Sequence, residues 1–114
     1  MKYEAISRMS REAALEQMKS GDPHRAASAL IAVSLYEERA FAGALVESSL
    51  SDPDPVVRAA AAMGAGHVAR IHRAVSGGIH SALRTLVSDP DSRVAGAAGN
   101  ALDDIEIFVR IQLT

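Results

Sequence analysis

The Asp-Pro pair at residues 22, 52 and 89 constrains this chain more than any other feature. The segment Leu50-Ser51-Asp52-Pro53-Asp54-Pro55-Val56-Val57-Arg58-Ala59-Ala60-Ala61 returns as Val87-Ser88-Asp89-Pro90-Asp91-Ser92-Arg93-Val94-Ala95-Gly96-Ala97-Ala98, shifted by 37 residues. A weaker copy runs from Ser20 to Leu30. Self-similarity at this period marks a helical repeat. Each pair also has a local meaning. An Asp side chain accepts from the free N–H groups of a starting helix, and Pro lacks an N–H where none is needed. Helices are therefore expected to enter near 22, 52 and 89. Asp54-Pro55 offers a competing start two residues later in the middle unit, because Pro55 disfavours a helical backbone at Asp54.

An apolar-periodic stretch precedes each Asp-Pro, the first one capped by Ser10. Ser20-Gly21 and Gly77-Gly78 read as separators. The expected order is helix, turn, helix, three times over, with helices near 10–19, 22–35, 36–50, 53–74, 79–88 and 90–110. No strand is needed. Apolar spacing of i, i+3, i+4, i+7 supports this: Leu30, Val33 and Ser34; Leu45 and Leu50; Val57, Ala60, Ala61, Gly64, Val68 and Ile71; Val94, Ala97, Ala98, Ala101, Leu102, Ile105, Phe108 and Val109. Alanine fills 22 of 114 positions and aromatics only 4%, so the core is built from small groups that let helices approach closely. The fold class is all-α, a short right-handed solenoid of three helix pairs forming one domain, 1–114.

Composition narrows function by exclusion. A formal charge of −2 argues against an overall basic nucleic-acid arm. Without cysteine there are no disulfides and no thiolate chemistry. Met1 to Ala14 carries Glu4, Arg8, Arg11 and Glu12 and does not read as a secretory signal, and no stretch is long and apolar enough for a membrane helix. A cytoplasmic location is expected.

The string Ser51 to Gly64 resembles the turn and second helix of a HEAT repeat: an acidic-Pro turn, Val56-Val57-Arg58, small residues, then Met63-Gly64. In the third unit Ala95 stands where the arginine is expected, and in the first Ala27-Ser28 replace Val-Arg. The resemblance covers residues 20–110 and implies a solenoid that binds through its inner face and carries no chemistry of its own. A narrower likeness lies in Gly66-His67-Val68-Ala69-Arg70-Ile71-His72 and the ending Ala101-Leu102-Asp103-Asp104-Ile105-Glu106-Ile107-Phe108, which resemble small bacterial immunity proteins. That likeness implies occlusion of a toxin domain, often a nuclease, from a contact-dependent or polymorphic effector.

The individual side chains are consistent with a binding surface. His67 and His72 are five apart, roughly 140° in projection, and so do not chelate one ion; no metal or cofactor is expected. His67 is placed at a buried repeat boundary. Asp103, Asp104 and Glu106 form the densest acidic spot, with Glu37, Glu38 and Glu47 a second, and carboxylates of this kind suit a basic cleft. In the 37-residue alignment Asp104 falls opposite His67, within reach of His67 or Arg70, so an internal pairing and a partner contact both stay open. Arg58 is expected to tie its turn to Asp52 or Asp89, while Arg70 and Arg73 are a possible basic patch. No Gly-x-Ser-x-Gly, phosphate loop or His-Glu-x-x-His appears, and no enzymatic activity is expected. Contact residues for a protein partner are Glu37, Glu38, Arg70, Asn100, Asp103 and Asp104. Two rival roles remain: a scaffold that oligomerises through its ends, where Ile107, Ile111 and Leu113 would otherwise be wet, and a helical-repeat nucleic-acid binder.

Overall fold

Every helix start in this chain is fixed by one side-chain oxygen. A computed structural model describes residues 7–112. Ser10 accepts from Ala13 N–H and opens α1 (Arg11–Met18); Asp22 accepts from His24 and Arg25 N–H and opens α2 (Pro23–Tyr36). Glu38 caps α3 (Arg39–Ser49) and Asp54 caps α4 (Pro55–His72). Ser76 caps α5 (Gly77–Leu86) and Asp91 caps α6 (Ser92–Phe108). Among the described residues there are six helices in three pairs, as the repeat implies.

The entry points at 52 and 89 are corrected to 54 and 91. Asp52 and Asp89 do not cap; their carboxylates accept the N–H of Asp54 and Asp91 at 2.8 and 2.9 Å and fold the turn that delivers the true cap. Gly77-Gly78 is likewise no separator. It forms the first turn of α5, because Ser76 Oγ accepts from Ile79 N–H at 3.1 Å and donates to Glu47 Oε1 at 2.6 Å. The Glu47 carboxylate lies over Gly78 where a Cβ would sit.

The second helices stack as α2, α4, α6, with α4 between the other two, and α1, α3 and α5 pack behind them. Small residues permit the close approach. Gly64 faces Ser34 and Val46, while Ala61, Ala62, Ala65 and Ala69 of α4 are fully buried. Leu30, Val33, Val46, Val68, Ile79, Leu83, Val94 and Ile105 fill one contiguous core. Ile71, expected inside, is 48% exposed.

Two strands correct the strand-free expectation. β1 (Ala74–Ser76) and β2 (Arg110–Gln112) pair in parallel, Val75 opposite Ile111. The repeat itself explains them: α4 and α6 are equivalent and run side by side, so their outgoing chains leave together, paired at an offset of 36 residues because α6 is one residue shorter than α4. Arg73 ends α4 in the left-handed region at φ 57°, and its guanidinium sits 5.2 Å over the Phe108 ring. Leu113 and the Ile111 side chain, expected to be wet, lie outside what the structure describes.

Candidate functional site

Where α4 and α6 run side by side, their small residues leave a groove of about 410 Å³ on the inner face. Met63, Gly66, His67 and Arg70 line it from α4 at helical spacing, and Arg93, Ala97, Asn100 and Asp104 from α6. Ala62 and Ala101 form its floor.

One end of the groove is a hydrogen-bonded triad. Arg70 Nη1 donates to Asp104 Oδ2 at 2.6 Å, and Arg70 Nη2 contacts His67 Nδ1. His67 is 2% exposed. Burial pushes its imidazole down from 6.5 to about 4, with the Arg70 charge acting the same way and Asp104 opposing. The ring is therefore neutral at pH 7 and has a lone pair to offer Arg70, so the guanidinium is oriented by two neighbours on different helices. At the other end Arg93 bonds the Asp91 carboxylate at 2.9 and 3.2 Å, which holds Asp91 at about 2.

Three of the six expected contact residues, Arg70, Asn100 and Asp104, are brought together in this groove. Asp103 is exposed on the adjoining face of α6. Glu37 and Glu38 lie elsewhere, at the α2–α3 turn, where Arg11 meets Glu37 at 2.7 Å and Glu38 at 3.7 Å. The second acidic spot does not form: Glu47 stands nine residues beyond Glu38, about 13 Å along α3, and is bound to Ser76. The basic patch does not form either, since Arg70 is held by Asp104 and Arg73 stacks on Phe108. Sequence reasoning missed Met63, Gly66 and Arg93 as lining residues; the signal was their i, i+3, i+4, i+7 relation to Arg70 and their i, i+7, i+11 relation to Asn100 and Asp104.

Among the described residues no group of His, Cys, Asp and Glu is arranged to hold a metal ion, and no helix is long and apolar enough to cross a membrane.

Comparison with known proteins locates this geometry. The profile of the Cnd1 family, described as non-SMC mitotic condensation complex subunit 1, matches residues 29–109. The chain belongs to the Cnd1 family. That family is built of HEAT-like helical repeats, so the resemblance read from the Asp-Pro turn holds for this Cnd1-family chain. No curated protein matches it. Among solved structures, a chain in the crystal structure of a CDI complex from Cupriavidus taiwanensis LMG 19424 is 29% identical, with a TM-score of 0.77 over 95% of this chain and 97% of that one. The fold of this Cnd1-family chain thus also occurs in a chain of a CDI complex.

Proposed function

We propose that the chain is an immunity protein: it binds the toxin domain of a cognate effector in the cytoplasm and occludes it, without catalysis, acting as one helical-repeat domain. The observation that carries this reading is the near full-length likeness to a chain of a CDI complex at 29% identity. The site supports it physically. The α4–α6 groove is shallow and open, and its charges are matched within it (Arg70 to Asp104, Arg93 to Asp91), an arrangement suited to complementing a protein surface. Arg70, Asn100, Asp103 and Asp104 are the contacts on this side, and Glu37 and Glu38 extend the surface only if the partner reaches the α2–α3 turn.

The reading expects the adjoining reading frame to encode an effector that ends in a toxin domain, and the test is co-expression of that domain with this chain. Rescue of growth together with a stable complex on size exclusion supports the reading; a domain that remains toxic and elutes separately overturns it.

A scaffold role is the second reading, favoured by Ile107, which is 70% exposed at the open end of the stack. Light scattering distinguishes the two, because a scaffold associates with itself as concentration rises.

A further inference from the structure

The register that aligns Asp54 with Asp91 also aligns the flanks by which α4 and α6 receive a neighbour. Ala62 and Gly66 of α4 line the seam with α6, and Ala69, at i+7 from Ala62, is buried like them. Gly66 lies so close that a Cβ there would stand 2.8 Å from Asp104 Oδ2 and 3.7 Å from Ala101 Cα. Thirty-seven residues on, the same flank of α6 carries Gly99, Asp103 and Glu106. It is open: nothing lies within 4 Å of a Cβ built on Gly96 or Gly99, and Asp103, Glu106 and Ile107 are exposed. Asp103 and Glu106 make no ion pair among the described residues, although Asp104, Asp89 and Asp91 all do.

The clamps invert as well. Arg58 and Arg70 of α4 hold Asp89 and Asp104 of the following unit. Their equivalents in α6 are Ala95 and Ile107. This flank of α6 therefore keeps the open, small-residue surface on which a helix can lie, lacks the two α4-type arginines that hold an incoming acid, and carries two carboxylates where neutral residues stood. Among the described residues, Arg84 and His80 of α5 line the hollow beside Glu106 without pairing with it, while Asp103 has no basic neighbour there. Another unit of this chain's own kind, arriving with carboxylates like Asp89 and Asp104, would meet like charge. Nucleic acid would meet it too.

We propose that this flank of α6 docks a basic protein segment: the partner supplies arginine or lysine to Asp103 and Glu106 and an apolar seat for Ile107. The proposal rests on the immunity reading and names the chemistry of its partner. Oppositely charged groups on the two surfaces hasten encounter and fix register, and an exposed isoleucine beside them adds apolar burial.

The probe is the toxin domain that rescues in that co-expression test, titrated calorimetrically with wild type, the Asp103→Asn/Glu106→Gln double variant, Ile107→Ser, and a Glu12→Gln/Glu16→Gln control on α1 carrying the same charge change. The double variant is expected to bind at least tenfold more weakly at low salt, with a flatter salt dependence, and Ile107→Ser several-fold more weakly; the control matches wild type. If the double variant binds as wild type does, this proposal falls while the immunity reading stands. If no form binds, both fall. If the free wild type dimerises and the double variant does not, the flank receives a second copy and the proposal is overturned.

Discussion

Arg58 Nε and Nη2 donate to both carboxylate oxygens of Asp89, at 3.0 and 3.2 Å, across 31 residues of sequence. Arg58 Nη1 meanwhile donates to the carbonyls of Asp52 and Pro53, both at 3.0 Å. One guanidinium thus ties the turn before α4 to the turn before α6, and its hydrogen bonds hold the Asp89 carboxyl below the usual carboxylate range.

Replacing Arg58 by Ala removes both guanidinium bonds to Asp89, leaving it only the Asp91 N–H, and strips the Arg58 donor from two carbonyls, so the thermal midpoint is expected to fall by about 5 to 10 °C. Arg58→Lys recovers less than half of that, because a lysine ammonium cannot present the same planar fork. Differential scanning calorimetry of the two variants checks both statements. Equal midpoints for wild type and Arg58→Ala would remove the clamp from the account.

The glycines of α3 and α4 are expected to respond in opposite directions. A Cβ at Gly64 would collide with Ser34 Oγ, which donates to Leu30 O at 2.7 Å inside the core, and would press Val46 at 3.2 Å. Gly64→Ala therefore destabilises by about 1 to 2 kcal/mol, overpacking outweighing the gain in helix propensity. Gly43, with nothing within 4 Å, gains only the propensity, and Gly43→Ala stabilises by about 0.5 to 1 kcal/mol. Urea denaturation reads both signs.

Much of this was legible in the sequence because the repeat is written in side chains that act locally. The three Asp-Pro turns, the alanine runs and the apolar periodicity imply six helices and the stacking order, and the 37-residue offset sets Asp104 opposite His67, within reach of His67 or Arg70, without deciding between an internal pairing and a partner contact. What escaped has physical reasons. Two aspartates two residues apart can each cap, and only the folded turn shows that Asp52 and Asp89 serve the turn while Asp54 and Asp91 serve the helix. Strands of three residues are too short to show alternation. Gly77-Gly78 looked like a break because the reason for two glycines, a carboxylate from α3 lying over the start of α5, is a tertiary contact. Glu37, Glu38 and Glu47 are close in sequence, yet a rigid helix carries Glu47 away from the other two.

His67 gives the fold a pH dependence of known sign. Its folded pKa of about 4 lies below the ordinary 6.5, so the unfolded chain takes up the proton first. The stabilisation is complete above pH 6.5 and is lost as pH falls toward and through 4. The loss is expected to be on the order of 2 kcal/mol once solvent screening in the open groove is allowed for. A His67→Gln variant should show a correspondingly flatter dependence between pH 6.5 and 4. Matching slopes for the variant and wild type in urea melts across that range would refute the assignment.

Ser76 serves two elements, capping α5 at Ile79 N–H and donating to Glu47 from α3. Ser76→Ala is expected to cost about 1 kcal/mol in a urea melt. Ser76→Thr, which keeps the hydroxyl, should retain most of it. A threonine variant as weak as alanine would mean that the hydroxyl is not what holds this junction.

The central claim, that the chain acts as a binding surface centred on α4 and α6, is tested most directly by hydrogen–deuterium exchange of its complex with the toxin domain recovered in the co-expression test. Added protection of the helical amides in 63–70 and 93–107, with α1 unchanged, is the expected result. Protection confined to α1 and the α2–α3 turn, or none at all in a proven complex, would contradict it.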